Sequence, residues 1–382
     1  MRTRPFLSHK RQDQRAVIAL KCELCLSGTG GWRDLDDLAP GEGTLPGFDK
    51  AINQTTGGFI WYGTNRAAAS SYVNTVELPR AAARKRREAA YPLVPVFLAP
   101  PAAVLPVVES MLSSLDYETF SDCNGEVRGR RSNAEFHRHV AQRYTRAAID
   151  GLPQDRITVA ATAMSEPNGE HDFTLDWRQV VPERTRVLAP GVEERLRMSL
   201  ANLREGFQPK ATFPEITLDI NLPLPLAILL GYEWRVTTNL RLVAHQRVGS
   251  TRIVVRGRGA AASGFPDWIE HHLGGSGPTV FAISTTNAPL EGPLAVYARE
   301  HQAGRTLALH VPGVLDATGI RGLARHVAEK ARAVGHDGLP RHLLIAGPVS
   351  LALFVGAAWN ANGPISVPLW DGSGYGSPIT IG

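Results

Sequence analysis

Cysteine is scarce in this chain, with Cys22, Cys25 and Cys123 the only three among 382 residues. A small odd number cannot build a disulfide framework, so the fold has to be held by its own core. Long apolar runs are missing too. The longest, from Tyr91 to Val108, is broken by Pro92, Pro95, Pro100, Pro101 and Pro106, and a membrane-spanning helix could not keep its backbone groups bonded around them. The opening MRTRPFLSHKRQDQ has no apolar segment of the kind a signal peptide needs. These absences predict a soluble, cytoplasmic protein with no membrane partner. Blocks of like charge are also lacking. The formal charge of +5 is spread over short arginine clusters, which argues against DNA as a partner and leaves a small anionic ligand open.

The usual catalytic signatures do not occur either. There is no Walker P-loop, no H-E-x-x-H, no G-x-S-x-G and no complete dinucleotide-binding glycine pattern after a strand. The EHH at 270–272 has no further ligands at metal spacing, and Cys22-x-x-Cys25 lacks a second pair and sits in the helical pattern AVIALKCELCL. Surface histidines and buried thiols are the reading, and no metal or cofactor is expected.

What is present is a globular composition, 43% hydrophobic and 20% charged, over a length at which one core usually gives way to two. From Pro5 to Leu98 short apolar runs (PFLSH, GFIWYG, LVPVFLA) alternate with helical segments. That alternation predicts an α/β fold with a parallel sheet and ligands at the carboxyl ends of its strands. Between the first helix and GFIWYG lies a long stretch rich in glycine and acid, which reads as a functional loop. A helix is predicted at SNAEFHRHVAQRYTRAAIDG, opened by a Ser132/Glu135 capping box and stopped at Gly151. The polar SEPNGEHD at 165–172 marks a linker, giving domains at 1–155 and 173–382 joined by 156–172.

The second part repeats itself. Placing 216–234 (ITLDINLPLPLAILLGYEW) over 341–359 matches Pro223 with Pro348, Leu226 with Leu351, Ala227 with Ala352, Gly231 with Gly356 and Trp234 with Trp359. Each copy reads as an apolar strand, a proline turn and a helix whose first turn offers backbone N–H groups to an anion. Leu222, Pro223 and Leu224 in one copy, and Gly347, Pro348 and Ser350 in the other, are the candidate contacts of a pseudo-two-fold pocket. Ser284, Thr285 and Thr286 end another predicted strand, where hydroxyls suit a phosphate or ribose or serve as ordinary turn chemistry.

One carboxylate stands apart. In SSYVNTVELP, Glu77 is the only charge between Arg66 and Arg80, and Pro79 cannot donate to the carbonyl of Thr75. The helix is expected to kink or restart there.

Taken in order, RPFLSHKRQD, a long helix, WRDLDDLAPG, GFIWYGTN, a serine-rich turn, the Glu77-Leu78 pair and LVPVFL resemble a TIR domain of flavodoxin-like fold over roughly the first 150 residues. The resemblance implies that Glu77 is the catalytic residue for cleaving NAD, as a substrate and not a cofactor. It also implies that Asp34 to Gly47 is a loop at a TIR–TIR junction. Phe6, Ser8, His9, Arg33, Asp34, Trp61 and Asn65 are the positions that would line the nucleotide. The remainder, with HDFTLDWRQV, AISTT, the proline repeat and IAGPVSLALFVGAAWNANGPISV, resembles a SAVED domain of two fused CARF-like, Rossmann-like halves. That implies a cyclic oligonucleotide ligand, cyclic tri-adenylate first, in a CBASS anti-phage system. Together the two resemblances imply an NAD+ hydrolase switched on by ligand-driven head-to-tail self-association into filaments. A non-enzymatic TIR adaptor and a cyclase making a cyclic ADP-ribose are the alternatives.

Overall fold

The computed structural model describes residues 2–38, 40–98, 125–152, 156–166, 169–182, 188–208, 214–235, 240–248, 251–335, 338–370 and 374–382. They fall into two compact units, Met1–Pro153 with Asn168–Asp176, and Gln154–Pro167 with Trp177–Gly382. No helix among the described residues is long and apolar enough to cross a membrane.

The first unit runs β1 (Pro5–Ser8), α1 (Gln14–Leu26), α2 (Asp34–Asp37), α3 (Thr44–Lys50), β2 (Gly58–Gly63), α4 (Asn65–Ala68), α5 (Leu78–Arg87), β3 (Leu93–Phe97), β4 (Glu126–Val127) and α6 (Asn133–Asp150). Its strands lie in the order β1-β2-β3-β4, every pair parallel. Successive strand residues point to opposite faces, so Phe6, Phe59 and Trp61 fill one core while Leu7, Ile60 and Tyr62 fill the other. Burial on both faces is why these strands read as unbroken apolar runs. The predicted capping box holds α6: Glu135 N–H donates to Ser132 Oγ at 3.3 Å, and Ser132 N–H donates to Glu135 Oε2 at 2.9 Å. On α1, Cys25 is buried and Cys22 half-buried, and burial pushes the Cys25 thiol up to about 12.

The expected linker at 156–172 is not one throughout. Arg156–Thr162 forms β5, a strand of the second unit with a buried centre, and the strand β6 (Phe173–Asp176) belongs to the first unit. In that unit Thr174 N–H donates to Gly28 O at 2.7 Å, and Thr3 Oγ1 donates to Asp172 O.

The second unit continues with α7 (Val192–Phe207), β7 (Glu215–Asn221), α8 (Leu224–Glu233), β8 (Arg241–Val248), β9 (Thr251–Arg256), β10 (Ile269–His272), β11 (Thr279–Ser284), α9 (Glu291–Glu300), β12 (Arg305–His310), α10 (Ala317–Val334), β13 (Arg341–Ala346), α11 (Val349–Ala358), β14 (Ile365–Trp370) and β15 (Tyr375–Ile381). In one sheet β5, β7 and β8 are parallel and β9 returns antiparallel. The other has the order β10-β12-β11-β13-β14-β15, with antiparallel strands at its two edges and a parallel centre. The repeat therefore extends beyond nineteen residues. Helix, parallel strand, proline-capped helix, parallel strand and antiparallel strand recur as α7-β7-α8-β8-β9 and α10-β13-α11-β14-β15.

The two halves meet through α8 and α11, and the matched glycines explain how. A Cβ on Gly231 would lie 1.9 Å from Leu353 O, and one on Gly356 would lie 2.0 Å from Ile228 O. Each residue of the first contact maps onto the second by the same 125-residue offset. Only glycine lets the two backbones approach this closely, and the reciprocity is that of a pseudo-two-fold axis.

Candidate functional sites

Glu77 closes a five-residue π turn, Val73–Glu77, directly before α5. The cause is Pro79 in the first turn of α5, where a residue without an N–H is tolerated. The preceding turn widens, and Leu78 N–H donates to Val73 O, five residues back. The helix restarts as expected.

This geometry buries the carboxylate. Glu77 is 5% exposed and its Oε2 meets no hydrogen-bond donor among the described residues. Burial pushes its pKa up to about 7, while the Ser8 hydroxyl pulls it down and the Asp34 charge raises it further. Ser8 Oγ faces the carboxylate without completing a well-formed bond, as its own unsatisfied state shows. Tyr72 shares the neighbourhood: its hydroxyl has no hydrogen-bond partner among the described residues, and burial first, then the Glu77 charge, raise its pKa. Glu77, Ser8, Asp34 and Tyr72 thus form one cluster at the carboxyl end of β1. Sequence reasoning missed Tyr72, whose only signal is its place five residues before Glu77.

The other positions expected to line a nucleotide do not join this cluster. Phe6 and Trp61 are 2% and 0% exposed. Phe6 stacks on Trp32 at 4.7 Å and Phe59 at 5.4 Å, and Trp61 meets Phe97 edge-on at 5.9 Å. Both are core, with no surface to offer a ligand. Arg33 is bound into an acidic cluster instead, its Nε donating to Asp36 Oδ2 at 2.9 Å. Lys21 pairs with the same carboxylate at 2.7 Å and Arg4 with Asp37, which ties down α2. The Arg33 contact, with Lys21 beside it, holds the Asp36 carboxyl down at about 2. His9 turns its Nδ1 to Leu7 O at 2.9 Å, and Asn65 is exposed at the start of α4.

The second site lies at the carboxyl ends of strands in the repeat unit. The chain leaves β11 toward β12 on one side and β13 toward β14 on the other, so a crevice opens where the directions part. Thr285 N–H donates to Ala346 O at 2.9 Å across that junction, and a Cβ on Gly347 would lie 2.5 Å from Thr285 Oγ1. Gly347 is what lets the two strand ends close up. A cavity of about 430 Å³ is lined by Pro223, Leu224 and Gly347, and also by Leu290, Trp370 and Tyr375. Residues from both halves of the repeat therefore wall one space.

The remaining expected contacts behave differently. Leu222, Ser284 and Ser350 are buried. Ser284 Oγ and Thr286 Oγ1 both donate to Ala288 O at 2.8 Å, which is turn chemistry and accounts for their hydroxyls. Pro348 N-caps α11, accepting from Leu351 N–H at 3.0 Å, as Pro223 caps α8 and accepts from Leu226 N–H at 3.0 Å. Among the described residues, the cavity lining carries no Asp, Glu, Lys or Arg. Its described walls, with Leu224, Leu290, Trp370 and Tyr375, suit an apolar, planar group.

Residues 200–381 match a family model described as "SAVED: SMODS-associated and fused to various effectors sensor domain". This part of the chain is a SAVED domain. In fold, the chain is similar to the Acinetobacter baumannii Cap4 SAVED/CARF-domain containing receptor with the cyclic trinucleotide 3'3'3'-cAAA, at 14% identity and a TM-score of 0.51, covering 96% of this chain and 97% of that one. The same receptor with 2'3'3'-cAAA gives the same values. At that identity the likeness is one of fold. No curated protein sequence matches the chain.

Proposed function

We propose that this protein is a cyclic-oligonucleotide-activated NAD+ hydrolase of CBASS-type antiviral defence. The SAVED domain takes the activator, with cyclic tri-adenylate the first candidate because a receptor of similar fold carries that ligand. The N-terminal unit, which resembles a TIR domain, cleaves NAD+ to nicotinamide and ADP-ribose through Glu77.

The observation that carries the enzymatic half is a single buried carboxylate at a strand's carboxyl end with its pKa near 7. Nicotinamide in NAD+ is a pyridinium. When the bond from ribose C1′ to the ring nitrogen breaks, its electron pair neutralises the ring, so no acid is needed for departure. Glycosidases with alkoxide leaving groups need that second carboxyl. The ionised Glu77 stabilises the oxocarbenium-like ribose and then accepts a proton from the water that attacks C1′, a role that suits a pKa near the working pH. A cationic ring beside the carboxylate favours its charged form, so substrate itself promotes the active state.

In a single chain Glu77 is almost fully buried, which supports a requirement for assembly: ligand-bound chains associate head to tail, and a neighbour completes the site. The same burial favours a second reading, an adaptor that recruits a separate effector. Incubating the purified chain with NAD+ and a panel of cyclic di-, tri- and tetranucleotides decides between them. Nicotinamide release with one activator supports the hydrolase, chromatography of the product separates linear from cyclic ADP-ribose, and silence with an activator that does bind supports the adaptor.

A further inference from the structure

We infer that Trp370 is the stacking platform for one base of the cyclic oligonucleotide. This rests on the reading that the SAVED domain binds such a ligand, and it names a contact that reading does not assign.

Trp370 is 43% exposed, whereas Trp32, Trp61, Trp177, Trp234 and Trp359 are buried and Trp268 is half-buried. Leaving an aromatic ring in water forgoes the stabilisation that burial gives Trp177, Trp234 and Trp359. Folding therefore does not account for its position, but binding would. The backbone places it deliberately. β14 and β15 pair in regular register up to Pro368 opposite Pro378, and then a bulge intervenes before Trp370 opposite Tyr375. The buried run Val367, Pro368 and Leu369 breaks the alternation of the strand. A bulge of this kind re-aims the next side chain, and here the re-aimed ring forms a wall of the cavity that both halves of the repeat line.

The ring is also braced. Tyr375 meets Trp370 at 4.9 Å and 70°, and Tyr297 meets Tyr375 at 5.2 Å and 82°. The Tyr297 hydroxyl pairs with His342 Nδ1 at 2.9 Å, which anchors the row in β13. A preorganised aromatic beside Leu224 and Leu290 fits a planar heteroaromatic base.

The test uses the full-length protein and 3′3′3′-linked cyclic tri-adenylate. Because Trp370 is the one solvent-exposed tryptophan, ligand should quench the exposed-tryptophan emission of the wild type. Trp370→Ala should abolish that quench and weaken binding, measured by calorimetry, by about 5- to 150-fold, the equivalent of one stacked base. Trp370→Tyr should recover most of the affinity. Its melting temperature should stay at the wild-type value, since the substituted ring lies at the surface. Unchanged affinity of Trp370→Ala would overturn the inference while leaving the sensor reading intact. Failure of the wild type to bind cyclic tri-adenylate or any other member of the panel would overturn both.

Discussion

If burial holds the Glu77 pKa at about 7 against an ordinary 4.5, the folded state binds a proton that the unfolded state has already released between those values. The sign follows from linkage. Where the native state holds more protons than the unfolded state, stability falls as pH rises. At low pH the group is protonated in both states and costs nothing; above about 7 it is ionised in both, and the folded state has carried the full desolvation penalty. A shift of this size corresponds to about 3 kcal/mol, of which about 2 to 3 kcal/mol falls between pH 5 and pH 8. Glu77→Gln removes the titration and keeps the shape. Its other effects, such as the altered contact with Ser8, do not depend on pH, so the quantity to read is the difference between the two pH values. By calorimetry of the full chain, the transition of the N-terminal unit in the variant should gain about 5 to 10 °C over wild type on going from pH 5 to pH 8. An equal offset at both pH values would refute the claim that the carboxylate is desolvated in the folded chain.

Other substitutions test other parts of the account. Gly356→Ala puts a Cβ within 2.0 Å of Ile228 O, a backbone atom that cannot step aside, so α8 and α11 must separate. Loss of about 3 kcal/mol in a denaturant melt is expected, and a neutral result would deny the close crossing. Phe6→Ala should cost about 3 to 5 kcal/mol as a core truncation, read in the same melt, and a stable variant with a raised KM for NAD+ would return Phe6 to the nucleotide site. Ser132→Ala should lose about 1 kcal/mol with the cap of α6, measured by thermal unfolding.

Much of this was legible in the chain itself. The proline repeat predicted two copies of strand, turn and helix, and its five matched residues include both glycines that make the close crossing. The Ser132/Glu135 box and the restart at Pro79 were also readable, because each depends on local chemistry alone. What the sequence withheld depends on tertiary packing. Phe6 and Trp61 were expected to line a nucleotide, but they lie inside β1 and β2, where the stacking of Trp32 and Phe59 and the edge of Phe97 make them core. Trp370 lies in an unremarkable apolar run and is exposed only because of a bulge that no periodicity announces. The polar segment at 165–172 gave no sign that the chain turns back there, with Thr174 and Asp172 bonded to partners nearer the N-terminus. Ser284 and Thr286 looked like ligand groups until Ala288 O claimed both hydroxyls.

The central claim, that one carboxylate in the N-terminal unit cleaves NAD+ on a signal read by the SAVED domain, comes down to nicotinamide release by wild type and Glu77→Gln in the presence of an activating cyclic oligonucleotide. The account predicts release from the wild type only when activator is added. It predicts none above background from Glu77→Gln, whose affinity for the activator should match the wild type. Turnover by Glu77→Gln at the wild-type rate would contradict it.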